Sequence, residues 1–597
     1  MRADRRMLPR WAVASLAAVL LLTGCASMPD SGSVGKVSES PRGEGDSQVR
    51  VFGVKPQPND DALSLVRGFL EATTSDEADY RTAKLYLTEE RRRSWDPFAG
   101  ITVLANSPSP QGVADPTDKN TFRVELTGTR VGWVDKKHAY APSEGSYHAT
   151  FRLTKEKGQW RIAGLPDGLV LSQADFRRIY RSVNLYYFAA HFTPGRDVFV
   201  PDPVYLRRRG TDPLASVVEA LLDGPTDWLS PVVVSKFPRG TALADREGLE
   251  IDDSGKLRVR LKERVAAGQA RCEQMASQLL KTVQEQAATK VQELELARED
   301  GTTACTVTGK DADLYNPQRL APAAGRQFLI DQQHRLASLT GEGTTAQPVA
   351  GPFGEGAVQL ASVAVRLDGQ AAAGVRRDGR TLNVVDLAHG ADLGEPRLTS
   401  RAKRPEDGLT APSWDGLGDL WVADRDPDRP RLVVLRDEKT ITVEVPELGK
   451  DRIEALRVAP DGARIALLVR KGERTELMLG RVERSGSEAD PEIAVRQLRS
   501  IAPQLEDVRA ASWAGLSRIL VVGRESQGVQ QMRYVDTDGS TPYSRTLPGI
   551  SKVEAVAASL DETEPILADS EDGIFRLPQD GNWKRVASEG SSPVYPG

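Results

Sequence analysis

At 597 residues the chain is too long for one hydrophobic core, and at roughly 100–200 residues per domain it should hold three to five domains. An apolar content of 39% and a charged content of 27% belong to ordinary globular proteins. The net charge of −5, with no basic domain, argues against a nucleic-acid partner.

The chain opens with Arg2, Arg5, Arg6 and Arg10, followed by an apolar run from Trp11 to Leu22. At about 12 residues the run is too short to cross a hydrocarbon core, which takes about 20 helical residues. A basic start, a short apolar run and small residues at its end read as a secretory signal peptide. The run closes on Leu22-Thr23-Gly24-Cys25, which resembles the lipobox of bacterial lipoproteins. The resemblance implies cleavage after residue 24, a diacylglyceryl group on the Cys25 thiol and an acyl chain on its amine, palmitate among such chains. The Arg5-Arg6 pair hints at the twin-arginine route. Met7-Leu8-Pro9 fit that motif poorly, so the general secretory route is expected. The protein is then expected on the extracytoplasmic face of the cell membrane, anchored by lipid. Each buried methylene adds about 0.8 kcal/mol, so two or three chains hold firmly. No later segment has a long uncharged apolar run.

Residues 25–49 are rich in Ser, Gly and charge and cannot bury enough surface to fold. They are expected to form a flexible tether with a reach of roughly 25–30 Å. Residues 50–181 form the first expected domain. Leu63, Val66, Phe69 and Leu70 are spaced for one face of a helix over 60–73. A second short helix is expected over 76–86 and a third over 89–94. The period then changes to two, giving strands at 121–129, 131–140, 147–154 and 159–163, the last pair a hairpin turning at Gly158. Helices followed by such a sheet, ending in Gly158-Gln159-Trp160-Arg161-Ile162, resemble the NTF2-like or cystatin-like α+β fold.

Residues 182–318 form the second expected domain. Strands are expected at 183–188 and 197–206. A helix over 212–222 is capped by Asp212 with Pro213 at its first position, and ends at Asp223-Gly224-Pro225. Leu249–Ile251 is expected to pair with Leu257–Leu261, ahead of a helix over 270–287 and a strand over 291–296. The opening strand, the Leu-Leu-x-Gly-Pro helix end and the late helix–strand pair resemble the GerMN domain, an α/β module. Once Cys25 carries lipid, Cys272 and Cys305 are left, an even number in an oxidising compartment. A disulfide between them is expected, with two buried thiols as the alternative.

Residues 319–597 are filled with short strands and turns. Five similar units line up, and the turn residues Asp368, Asp415 and Asp461 lie 47 and 46 residues apart. Gly515 and Asp561 continue the series. A period near 46 with about four strands per unit is the mark of a β-propeller. The Ala459-Pro460-Asp461-Gly462-Ala463-Arg464-Ile465-Ala466 stretch resembles propeller repeats of the TolB type. Six blades are expected, with five or seven open. Strands at 326–330 and 334–339 are expected to complete the last blade. Trp414, Trp421 and Trp513 read as blade core.

No catalytic or metal-binding constellation has convincing spacing. The five histidines (138, 148, 191, 334 and 389) lie in separate segments. Asp424-x-Asp426-x-Asp428 starts like a calcium loop, but Arg429 stands where that loop needs Gly and Leu435 where it needs Glu. No cofactor or metal is expected, and a non-enzymatic role is.

A lipobox, an α+β domain, a GerMN-like domain and a propeller, in this order, resemble the LpqB lipoprotein family of actinobacteria. The resemblance implies an accessory regulator that contacts the ectodomain of MtrB, the sensor histidine kinase of a two-component system. It further implies effects on envelope homeostasis, division and sporulation. The residues themselves suggest a protein that holds partners beside a membrane. Two alternatives are a structural lipoprotein that binds peptidoglycan or another envelope glycan, and a propeller hydrolase or lyase acting on such glycan.

Overall fold

The computed structural model describes residues 51–597 except 115–117, 191–196, 209–211, 246–248, 263–267, 287–289, 324, 340–344, 488–489 and 541–546. The signal peptide, the lipobox and the tether therefore lie outside the described residues. Residues 50–597 make one compact unit. Among the described residues no helix is long and apolar enough to cross a membrane.

The first domain is built on the helix Ala62–Thr73. The Asp61 carboxylate starts it by accepting from the N–H groups of Leu63 and Ser64, both at 2.9 Å. Leu65, Val66, Phe69 and Ala72 form its buried face. Phe69 meets Tyr86, Trp95 and Phe151 edge-on, with centroids 5.4–6.4 Å apart. The helix expected over 76–86 is only Arg81–Lys84. Upstream of it, Asp76 accepts from the Val51 N–H at 3.0 Å and Glu77 from the Thr82 N–H at 2.7 Å. These side-chain bonds hold the segment in turns, and Tyr80 sits at φ 55. Thr88 caps Glu89–Ser94.

The sheet of this domain runs in the order Gln159–Gly164, Tyr140–Glu156, Thr121–Val134, Ile101–Leu104, Leu169–Ser172, with Ser109–Ala114 also paired to Thr121–Val134. The strand expected over 131–140 is split. Val131–Val134 finishes the long strand, which bulges between Arg130 and Gly132. Asp135 then makes a turn by accepting from the N–H groups of Lys137 and Ala139 at 2.8 and 2.9 Å. Gly158 (φ 78) makes the other hairpin turn beside Lys157 at φ 51.

No linker separates this domain from the next. Ser172 caps the helix Gln173–Ile179, which runs straight into the strand Tyr180–Ala189. Tyr205, on the partner strand Phe199–Arg207, belongs to the first domain's core and packs on Tyr140 and Phe176 at 5.6 and 4.8 Å. A division at 181/182 thus falls within a strand.

In the second domain Asp212 caps Pro213–Leu222, and Gly224, at φ 90, releases the chain after it. The helix Gln269–Gln284 crosses over between two parallel strands, Lys256–Arg260 and Glu293–Ala297. Leu249–Ile251 was expected to be the partner of Leu257–Leu261, but it meets that strand only at the Ile251–Leu257 bridge. Burial decides the pairing: Leu257, Val259, Leu294 and Leu296 are all fully buried under the crossover helix. Cys272 on the helix and Cys305 on the strand Thr303–Thr308 are joined as a disulfide with Cα atoms 6.1 Å apart.

From residue 327 the described residues form antiparallel meanders around an axis, at 360–399, 413–443, 452–500, 507–536 and 553–587. The meanders 452–500 and 507–536 touch through one bridge, Thr475–Asp507. The meander 553–587 has its own four strands ending at Lys584–Ala587. The front strands Gln327–Ile330, Leu336–Leu339 and Ala346–Pro348 complete a further blade and close the ring, taking Ser591–Val594 from the chain's other end as their innermost strand. That pairing covers a backbone edge that either end alone would leave open. The repeated aspartates make identical turns: Asp368, Asp415, Asp461 and Asp561 each accept from the N–H two residues on. Trp414, Trp421 and Trp513 are buried between meanders.

The disulfide closes a loop with a sequence separation of 33 residues. Replacing both cysteines with serine should therefore lower unfolding stability by about 3–4 kcal/mol, read as a fall in the urea midpoint of the second domain.

Candidate functional site

The second domain is seated on one face of the propeller. Trp228 is the wedge. Its indole N–H donates to the Gln497 carbonyl at 3.0 Å, and the Arg499 guanidinium lies 4.0 Å from its ring centre. The connecting segment Pro317–Leu320 follows, and Ala321 joins the same buried cluster as Leu367, Ala459 and Leu560, which come from three different meanders. The Gln318 amide donates to the Leu560 carbonyl at 2.9 Å. Asn184 donates to Ser517 Oγ and to Glu285, both at 3.2 Å.

Beneath this contact lies a layer of buried charge. Arg464 pairs with Asp461, donates to the Leu516 carbonyl at 2.8 Å and sits over the Trp513 ring. Asp415 accepts from the Trp421 indole at 3.0 Å and from Arg484 at 2.7 Å. Burial nevertheless pushes Asp415 up to about 6. Asp202 accepts from Thr226 N–H and Oγ–H at 2.7 and 2.8 Å, and burial pushes it up to about 6 as well. The turn Asp536–Ser540 packs under Pro142 and Tyr205 of the first two domains. Burial and then the neighbouring Asp538 charge raise Asp536 to about 7, against the pull of Arg518 and Ser540. Burial raises Asp538 too, although Ser540 and Arg499 oppose it.

Between the second domain and the propeller opens a cleft of about 1010 Å³. On one wall Asp197 is held by Lys236 at 3.4 Å and by Gln274 at 3.1 Å. On the other, Arg366 pairs with Asp368 at 2.9 Å. Leu314 stands at the rim with 57% of its surface exposed. The exposed Arg319 guanidinium makes no side-chain bond or ion pair among the described residues. The cleft has apolar rim, polar walls and a spare cation, which suit it to a segment of another molecule. Among the described residues no group of three or more His, Cys, Asp or Glu side chains is arranged to hold a metal.

The lipobox residues Leu22, Thr23, Gly24 and Cys25, and also His191, lie outside the described residues. His138, His148, His334 and His389 are not brought together. The cleft escaped sequence reasoning because Asp197, the run from Leu314 to Arg319, and Asp368 belong to three separate segments with no shared motif. The run from Leu314 to Arg319, an exposed leucine and arginine just before the propeller, was the one signal available.

Three family models cover most of the chain: "Lipoprotein LpqB, N-terminal domain" over 55–177, "Sporulation and spore germination" over 184–299, and "Lipoprotein LpqB beta-propeller domain" over 334–596. The chain is 45% identical to Lipoprotein LpqB of Streptomyces avermitilis over 97% of its own length and 96% of that protein's. The chain belongs to the LpqB lipoprotein family. Lipoprotein LpqB of Streptomyces coelicolor is likewise 45% identical, over 100% of this chain and 99% of the relative. A chain from a solved nidogen/laminin complex overlays 45% of this chain and 97% of its own, at 11% identity and a TM-score of 0.33, too low to bear on function. Members of this family are named lipoproteins, and the propeller and spore-germination modules are features of this chain.

The raised carboxylates make the junction pH-dependent. A buried acid whose folded pKa exceeds its unfolded value near 3.8 binds protons more readily in the native state. Its penalty is absent below about pH 4, grows through the interval up to about 7, and is complete above that. The melting temperature should therefore fall by a few degrees between pH 5 and pH 8. Asp536→Asn should flatten that slope and raise the melting temperature at pH 8 more than at pH 5, as scanning calorimetry would show.

Proposed function

We propose that this protein is a lipid-anchored, extracytoplasmic accessory protein that binds the ectodomain of a sensor histidine kinase, MtrB in the family's terms. Through that contact it adjusts kinase signalling in envelope homeostasis, division and sporulation. The observation that carries the reading is the open cleft between the second domain and the propeller, in a chain whose N-terminus carries a lipobox. The cleft presents Arg319 and Leu314 to solvent between walls that carry Asp197 and Asp368.

The anchor makes a weak contact sufficient. Tethering at Cys25 through residues 26–49 holds the cleft at an effective concentration of about millimolar relative to a membrane partner. No catalytic role is assigned. The lining of the propeller channel includes Val363, Ala364, Val458, Val556 and Val594, with Arg457, Ser413, Ser512 and Tyr595.

In a pull-down, the soluble protein lacking residues 1–25 should capture the kinase ectodomain at high micromolar concentration or below. The double variant Leu314→Asp, Arg319→Glu should weaken capture at least tenfold while leaving the melting temperature unchanged. No capture by the unaltered protein, or co-sedimentation with purified peptidoglycan instead, would count against the kinase reading. Separately, Cys25→Ala should release the protein from the membrane fraction with its domains folded, as immunoblots of cell fractions would show. Retention of that variant in the membrane with full activity would overturn the anchor.

A further inference from the structure

The segment that opens the first domain turns two apolar side chains outward. Phe52 is 73% exposed and Val54 55% exposed, whereas Val51 and Gly53 are half-buried. An extended backbone lying along a domain produces this alternation, because successive side chains point to opposite sides. The inward positions are fitted to the body. A Cβ on Gly53 would stand 2.8 and 2.9 Å from Cγ2 and Cβ of Thr82, so glycine lets the backbone lie close against the helix Arg81–Lys84. The large side chains stand at the outward positions.

This edge is held by the domain beneath it. The Val51 N–H donates to Asp76 Oδ2 at 3.0 Å, and the Val51 carbonyl accepts from the Asp76 N–H at 2.9 Å. The buried Tyr86, packed on Phe69, donates its hydroxyl to the Val54 carbonyl at 2.8 Å. The Asn59 N–H donates to Gln159 Oε1 at 3.1 Å, which fixes the far end of the segment to the sheet. Lys55 stands exposed next to Val54 and makes no ion pair among the described residues. An aromatic and an aliphatic side chain beside a free cation, all on a fixed backbone, have the chemistry of a lipid–water interface.

The chain ahead of this edge says what covers it. Residues 26–49 are expected to reach roughly 25–30 Å from the lipid on Cys25, and Phe52 is the first aromatic residue after that cysteine. We propose that Phe52 and Val54, with Lys55, dock the first domain onto the anionic lipid surface to which the chain is tethered. The inference rests on the lipid anchor proposed above. Two side chains hold a surface weakly, and tethering at an effective concentration of about millimolar makes such a contact sufficient. The contact is reversible, so the tether keeps its freedom between encounters. While it lasts, it sets the direction in which the cleft faces, because the helix Gln173–Ile179 runs without a linker into the second domain's strand Tyr180–Ala189.

Hydrogen exchange on vesicles tests this. The mature protein, with a hexahistidine tag in place of residues 1–25, is held on vesicles of phosphatidylcholine, phosphatidylglycerol and a nickel-chelating lipid. Exchange over residues 51–56 should slow by about threefold or more relative to the protein in solution, while the propeller loop carrying Val529, itself 75% exposed, should not slow. The double variant Phe52→Ser, Val54→Ser should lose the slowing and keep its melting temperature, since both side chains lie at the surface. No slowing in the unaltered protein, equal slowing in the variant, or equal slowing at the Val529 loop would overturn the proposal. The tag holds the protein on the vesicle whether or not Cys25 carries lipid, so these outcomes leave the anchor standing, and its own failure would show in the fractionation of Cys25→Ala.

Discussion

The pairing of Gln327–Ile330 with Ser591–Val594 is the constraint on which the rest of the structure depends. It joins the two ends of a stretch of more than two hundred residues and closes the ring. Closure fixes where the chain must enter. The segment just before the first paired strand has to pass over the channel mouth, and there Ala321 joins the buried cluster of Leu367, Ala459 and Leu560. The second domain precedes that segment by a few residues, so its seat on the propeller follows. Trp228 and Arg499 then fix its orientation.

Continuity does the same for the first domain. A helix that runs straight into a strand, and Tyr205 of a second-domain strand buried in the first domain's core, leave no hinge between first and second domains. A partner held in the cleft would therefore be presented by the whole body of the protein. The freedom needed to meet a membrane partner is expected from the tether.

The cost of this arrangement falls on buried carboxylates. Asp202, Asp415, Asp536 and Asp538 lie where domains meet or where blades turn toward the second domain, and burial raises each of them. Most are matched by a donor or a guanidinium on a neighbouring segment. Asp538 Oδ2 and Arg464 Nη1 are buried without a partner. Both are places where local satisfaction gave way to the demands of the ring.

Much was legible in the residues themselves. The Asp212 cap, the turn at Gly158 and the Asp-centred repeat are local signals, because a cap or turn needs only the next few residues. Reading failed where a side chain two or more positions away chose the backbone path. Asp76 and Glu77 unwound the expected helix, and Asp135 divided an expected strand. It failed again where partners were distant: the parallel strands under the crossover helix and the cleft. The sequence by itself determined the class of the protein and its order of modules, since these depend on composition, period and short motifs. Tertiary structure alone decided which segments face one another, because burial and ring closure act between residues hundreds of positions apart.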